Sequence, residues 1–552
     1  MKKASDALPV CTSSPHLAQS QTVKRFGTIF PFIEQGATNL RVGRLMANYD
    51  FVKALVKYSS FDQFVFSNPS NTNLKAFEEL VRTWDLPPGR LQKIRCVSYV
   101  SLSETLRKDE FHVFHLGGWG YFMPGLHYLR NRYARNPWPI TAVTHSLNGR
   151  RVIDFAVRLA KAQMAGYDSI FCTSQDGKQA LIKILQGAAS IAGSAYQGRL
   201  DLLPLGIDDD LLGTIGDRQK ARQQMQILPE AIVLLALGRI TPYQKMDLAP
   251  FLRALAHRIL PNSRRRVCVV IAGGADSADL ALLQKLIKDY GLESVTRVRA
   301  NFRTGIKNDL LAAADIFVSL ADNTQETFGL SLLEAQACGL PTVASRFDGY
   351  KDLVREGIDG FLIDTYWCEA DPFTELFDLM DPELSQLFQA QSVAIDIDQL
   401  TDRLIQLIHD DSLRQSMGES ARQKVSGEFL FSQIIRRYEK CWDELYLEAQ
   451  DQRLSQAQQN PYELSQSRTF SHYVSQILHP SARVIATGRS TLPQPYDEVR
   501  SLFDEDVLGK LLRHSGSETS IVDLIERTQL PQPIGWFAVM WLIKYDLLKV
   551  AR

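Results

Sequence analysis

"NTQETFGLSLLEAQACGLPTVAS" (residues 323–345) holds two carboxylates, Glu326 and Glu334, eight residues apart across the start of a helix. Ahead of it runs DIFVSLA, a short apolar stretch rich in strand formers. DNTQETFG reads as a loop, residues 330–338 as a helix stopped by Gly339 and Pro341, and PTVAS as the next strand. A helix entered from a strand of a parallel sheet offers free backbone N–H groups and a partial positive charge at its N-terminus. Gly329 lets a ligand approach that backbone closely. Glu334 falls one turn into the helix on the face of Leu330, and Glu326 lies in the loop before it. Carboxylates accept hydrogen bonds from hydroxyls. Two of them on either side of an anion site suit a ligand with phosphate in the middle and hydroxyls at both ends, as in a nucleotide-sugar. The plainer reading is a buried carboxylate capping a helix beside a partly exposed one, and spacing alone does not separate the two.

Working outward, the same strand–helix alternation recurs. GTIFPF, QFVFS, KIRCVSYV, FHVFHLG, ITAVTHS and SIFCTS form one series. AIVLLALGR, RVCVVIAGG, DIFVSLA, PTVAS and DGFLI form a second, after Gly206. Between them DLAPFLRALAHRIL places Leu248, Phe251, Leu252, Leu255 and Ile259 on one helical face. Strands alternating with helices imply parallel sheets covered on both sides. The expected fold class is therefore α/β, with two Rossmann-like doubly wound domains at 23–206 and 207–448. A chain of 552 residues is too long for one core, so two or three domains fit.

Composition narrows the function classes. Lys plus Arg and Asp plus Glu are both 62, which argues against a protein that coats nucleic acid. Seven cysteines stand singly, without a CxxC pair, which speaks against a zinc site and fits reduced thiols. MKKASDALPVCTSSPHLAQS lacks the apolar core of a signal peptide, and no uncharged apolar run reaches the roughly 18 residues of a membrane span. The expected location is cytoplasmic, with residues 1–22 disordered.

Two further constellations sit where such sheets bind ligands. In LGRITPYQKMDL, Arg239 lies at the carboxyl end of a strand and Lys245 at the start of the next helix. Two fixed cations there can neutralise a diphosphate, and more so the charge it gains on leaving. In TAVTHSLNGR, His145 follows a strand of the first domain. A basic pair in a loop and a structural histidine are the plain alternatives.

ETFGLSLLEAQACGLPTVAS followed by DGYKDLVREGIDGFLI closely resembles the donor-binding signature of retaining GT-B-type glycosyltransferases, the group 1 or family 4 enzymes that include the sucrose-phosphate-synthase-like and mannosyltransferase-like proteins. The resemblance runs with interruptions over 111–444 and is strongest over 233–363. It implies a GT-B fold and transfer of a hexose, with retention, from a nucleotide-diphosphate sugar to an acceptor, without a metal or resident cofactor. Glu326 would hold donor-sugar hydroxyls and Glu334 the ribose. Backbone N–H groups of Phe328, Gly329 and Leu330 would contact sugar and phosphate. Arg239 and Lys245 would hold the diphosphate, and His145 would approach the hexose. Gly273 and Gly274 would form the turn under the nucleotide, and Asn301, Phe302 and Arg303 would line the base pocket. The sequence departs from the family at HSLNGR, where Asn148 is inserted, and in EQGATNLRVGR, where Gly36 and Gly43 replace an adjacent glycine pair. Two alternatives stay open: a GT-B-fold binding subunit without transfer activity, and a nucleotide-sugar epimerase on the same fold.

WGYFMPGLHYLRNRYARNPWP mixes aromatics with Arg130, Arg132 and Arg135. It suits an aromatic or lipid acceptor or peripheral membrane contact, or else an ordinary half-buried helix. Residues 449–475, polar and Gln-rich, read as a linker. Residues 476–552 read as a small, mostly helical, winged-helix-like module. Its bases are too scattered for nucleic acid, so self-association or a protein partner is the expectation.

Overall fold

The apolar runs become the strands of two parallel sheets. The computed structural model describes residues 23–29, 43–68, 71–149, 151–213, 216–302, 305–368, 374–454, 465–489, 491, 496, 499 and 505–551. Residues 1–22, Gly36, Arg303 and linker residues 455–464 lie outside the described residues.

The first sheet comprises β1 (Arg25–Ile29), β2 (Gln63–Asn68), β3 (Ile94–Ser98), β4 (Val113–Leu116), β5 (Ile140–Val143), β6 (Ser169–Cys172) and β7 (Arg199–Leu202), in the order β3-β2-β1-β4-β5-β6-β7. The second comprises β8 (Ile232–Leu237), β9 (Val267–Gly273), β10 (Thr296–Ala300), β11 (Ile316–Ser319), β12 (Thr342–Ser345) and β13 (Gly360–Ile363), in the order β10-β9-β8-β11-β12-β13. Central strands such as β8 and β9 are buried along their whole length, as helices on both faces require. The sequence reading contains neither β7 nor β10. Both are edge strands, and their segments RLDL and TRVRA carry charges on partly exposed positions. An edge strand has one neighbour and needs no continuous apolar run.

The chain enters the second domain at Ile207 and returns at Leu430. The two crossings lie side by side, with Ile207 N–H donating to the Phe429 carbonyl and Phe431 N–H to the Ile207 carbonyl, each at 3.0 Å. The helix that follows, Phe431–Gln450, buries Phe431, Ile434, Tyr438, Trp442 and Leu445 in the core of the first domain. Trp442 donates its indole N–H to Thr141 Oγ1 at 3.0 Å and packs on Phe26 and Phe61.

Arg130 does not face an acceptor. On the helix Met123–Tyr133 it is fully buried, paired through two bonds with Asp168 at 2.5 and 3.0 Å, and it also donates to the Trp138 carbonyl. The exposed guanidinium of Arg132 donates to the Tyr128 hydroxyl on its own helix.

Beyond the linker, β14 (Arg483–Ala486), β15 (Thr519–Ser520) and β16 (Leu548–Val550) form a small antiparallel sheet against helices Glu505–His514, Ile521–Thr528 and Gln532–Lys544. Among the described residues, the buried core of this module runs from Val484 to Leu548 and takes nothing from the two larger domains. A core of its own makes a unit separable. A chain ending at residue 456 is therefore expected to stay soluble and monodisperse and to bind nucleotide as the full chain does. Size-exclusion chromatography with calorimetry checks this; a folded truncation that no longer binds would show that the module helps build the site.

Candidate active site

The site forms where β8, β9 and β11 end. Two glycines make it possible. A Cβ on Gly273 (φ 159°) would stand 1.5 Å from the Gly238 carbonyl oxygen, so only glycine lets the ends of β8 and β9 close together. Gly329 (φ 118°) starts the helix Leu330–Ala337, and a Cβ there would meet the Tyr350 ring at 2.7 Å. Among the described residues that helix has no side-chain cap, and its Leu332 and Leu333 N–H groups donate to the Gly329 carbonyl. Ser331 Oγ and Gln325 Oε1, on the same helix end and the loop before it, are buried without a hydrogen-bond partner among the described residues.

The two expected charges meet. Lys245 Nζ pairs with Glu326 Oε2 and donates to the Tyr350 hydroxyl at 2.9 Å. The Tyr350 hydroxyl lies 2.7 Å from Ser319 Oγ and 3.4 Å from Glu326 Oε2. Phe328 N–H donates to the other Glu326 oxygen at 3.4 Å. Burial alone would lower the Lys245 pKa, but Glu326 and Tyr350 outweigh it and hold the ammonium above the ordinary lysine range. Burial would likewise raise Glu326, and Lys245 outweighs it, so the carboxylate stays ionised. Arg239 is drawn down by burial while Glu326 opposes, and its guanidinium is held by Gln244 of the same loop. The helix Pro382–Gln391 flanks this loop: Glu383 accepts from Tyr243, and Gln391 donates to Asp247.

Glu334 pairs with Lys307, from the helix Ile306–Ala313. Across from them stands Asp50, on the first-domain helix Gly43–Tyr58. Burial, then Glu334, push its carboxyl up to about 6, with Lys307 opposing.

His145 is joined to the glutamate loop from the opposite domain, because the Thr327 hydroxyl donates to its carbonyl. Its Nε2 lies 2.8 Å from Asn48 Oδ1, and Asn48 Nδ2 donates to the Gly117 carbonyl, which sets the Asn amide and makes Nε2 the protonated nitrogen. Burial, then Arg44, draw its pKa down to about 4, so the ring is neutral at pH 7. Nearby, Ser174 caps the helix Gln175–Ala192 and donates to Asp348, Gln175 N–H donates to Asp352, and Lys351 pairs with Asp176. These contacts join the two domains directly beside the site.

The structure thus brings together Arg239, Lys245, Glu326, Phe328, Gly329, Leu330 and His145, with Glu334 one turn further along the helix. Asn301 (φ 51°) does other work than lining a base pocket: its side chain donates to and accepts from the Ala275 backbone, which clamps the Gly273–Gly274 turn. Phe302 packs against the domain core. Gly43 is the first residue of its helix, while Gly36 and Arg303 fall outside the described residues. Lys307, Tyr350, Ser319 and Asn48 are absent from the sequence reading. Tyr350 stood within the quoted DGYKDLV, but nothing in its spacing pointed to a lysine 105 residues away. Among the described residues, no group of three His, Cys, Asp or Glu side chains is placed to hold a metal ion, and no helix is long and apolar enough to cross a membrane. A cavity of about 550 Å³ lined by His127, Arg130, Tyr167 and Glu448 lies at the end of the crossing helix and contains none of the site residues.

Two Rossmann-like sheets, a site at the strand ends of the second and a last helix that returns to the first define the GT-B class of fold. Residues 217–380 match the family model described as Glycosyl transferases group 1. The chain is 37% identical over 175 residues to D-inositol 3-phosphate glycosyltransferase 2 of Catenulispora acidiphila, covering 31% of this chain and 40% of that protein. It is 34% identical over 168 residues to D-inositol 3-phosphate glycosyltransferase of Geodermatophilus obscurus, covering 30% and 36%. The chain thus matches two-fifths or less of these relatives' length. Among solved structures, Anabaena Alr3699/HepE in complex with UDP and glucose superposes with a TM-score of 0.52 at 17% identity, covering 76% of this chain and 100% of that one. Sucrose-phosphate synthase from Thermosynechococcus elongatus gives 0.50 at 16%, covering 77% and 100%. These likenesses establish the fold.

Proposed function

We propose that the protein is a retaining glycosyltransferase that moves a hexose from a nucleoside diphosphate sugar to an acceptor hydroxyl without a metal ion. One observation carries the reading: a buried lysine and a half-buried glutamate face each other beside a helix N-terminus without a side-chain cap, the arrangement that a ligand with both phosphate and hydroxyl groups would occupy. In this reading Arg239, Lys245 and the N–H groups of residues 328–330 hold the diphosphate. Glu326 accepts from hexose hydroxyls, and Glu334 exchanges part of its contact with Lys307 for the ribose hydroxyls. His145, neutral, serves as a hydrogen-bonding partner for the hexose and not as a base. The bond from the anomeric carbon to the diphosphate oxygen breaks as the bond to the acceptor oxygen forms on the same face. The acceptor proton passes to the departing phosphate oxygen. Charge gathered on that oxygen is what the two cations stabilise.

The Anabaena neighbour's complex with UDP makes UDP the first nucleotide to test. Titration calorimetry of UDP, GDP and ADP in EDTA should show binding of at least one. Glu334→Ala should weaken that binding by about 1.5–3 kcal/mol, the size of a hydrogen bond to a charged group. Glu326→Ala should instead lower turnover and leave diphosphate affinity nearly unchanged. A strict requirement for magnesium or manganese, or equal losses of affinity in both variants, would contradict these roles.

A further inference from the structure

Tyr350 is wholly buried, yet its hydroxyl stands at the centre of the charged network. It accepts from Lys245 Nζ at 2.9 Å, is backed by Ser319 Oγ at 2.7 Å, and lies 3.4 Å from Glu326. The lysine ammonium also sits 5.5 Å from the centre of its ring, and the opposite requirement for glycine at 329 comes from the same ring. The residue therefore contacts both halves of the site, the cation and the helix start.

A lysine ammonium carries three N–H donors on a flexible stem. Here one is directed to Glu326 and one to Tyr350. When a hexose hydroxyl engages Glu326, the lysine loses its anionic partner, and only a fixed neutral acceptor can keep the ammonium aimed without competing with phosphate for its charge. A phenol hydroxyl held from behind by a serine meets that need. We propose that Tyr350 is a positioning residue that keeps the Lys245 ammonium against the donor diphosphate once Glu326 has turned to the sugar. The inference rests on the donor-site reading above. Burial pushes the phenol up to about 12, so it stays protonated while it accepts from the lysine.

The test uses the full chain, with donor hydrolysis measured on UDP-, GDP- and ADP-hexoses and diphosphate binding measured separately. Tyr350→Phe keeps the ring and removes the hydroxyl. It is expected to lower kcat about tenfold or more, the fold-change of a lost hydrogen bond to a charged group, while KM for the donor and Kd for the diphosphate stay within about threefold. Ser319→Ala should lower kcat in the same direction by less. A phenol that only fills the core would be replaced by Phe without effect, so a kcat within twofold of wild type overturns the role. A rise in Kd with kcat unchanged overturns it as well, since Tyr350 would then be a binding wall. A wild-type protein that binds none of the three diphosphates overturns the donor-site reading and this inference with it. A wild type that binds and turns over beside an unimpaired Tyr350→Phe overturns only the role of Tyr350.

Discussion

Lys245→Met is expected to lower donor turnover by about 10²–10³-fold, the usual loss when a preorganised group that stabilises developing charge is removed. It should also destabilise the protein by roughly 2–3 kcal/mol, because the half-buried Glu326 would lose the ammonium bonded to it and keep only the more distant Arg239. The two effects have different causes and can be separated. Met has nearly the volume of the lysine stem, so the packing around Tyr350 is kept. Adding Glu326→Gln removes the stranded charge; Lys245→Met/Glu326→Gln should regain most of the lost stability and none of the turnover. Such a cycle is non-additive by design, since the residues are in direct contact. Urea unfolding and initial rates on the four proteins check it. Turnover of Lys245→Met within tenfold of wild type would remove the lysine from the chemistry, whatever its contribution to the fold.

The second large effect is expected far from the chemistry. Arg130→Met should cost about 3–5 kcal/mol of first-domain stability. Asp168, wholly buried, accepts from two Arg130 nitrogens, from Ile140 N–H at 2.8 Å and from Ala165 N–H at 3.0 Å. Without the guanidinium it keeps its backbone donors and loses the counter-charge that it has at bonding distance among the described residues. The pair thus ties the helix Met123–Tyr133 to the starts of β5 and β6. Arg132→Ala, two residues on and exposed, should leave the unfolding midpoint where it is. Equal shifts for both substitutions would show that the effect belongs to the helix and not to the buried pair.

How much of this was legible follows from the range over which each feature is built. The glutamate motif was readable because strand, loop and helix are consecutive, and burial imprints its period on neighbouring residues. Residues 248–259 were readable for the same reason, and Leu248, Phe251, Leu252, Leu255 and Ile259 are all buried. β7 and β10 were not, since an edge strand needs burial on fewer positions and its charges break the pattern. The arginine-bearing stretch 119–139 stayed open between a contact surface and a half-buried helix, because a charge gives no sign of burial until its partner is known, and Asp168 lies 38 residues on from Arg130.

By itself, then, the sequence determined the alternation of strands and helices, the division into two doubly wound domains with a small module behind them, and the residue types gathered at the strand ends. Those depend on local period and on chemistry that each residue carries with it. Only the tertiary structure decided which of these groups face one another. It paired Lys245 with Glu326 across 81 residues and Glu334 with Lys307, set Tyr350 between the first two, and joined Thr327 to the His145 carbonyl across 182. The physical reason is that a buried charge is stabilised by whatever counter-charge the packing of distant elements brings within bonding distance, and that choice is made by the sheets' order and the domains' closure, which leave no periodic trace along the chain.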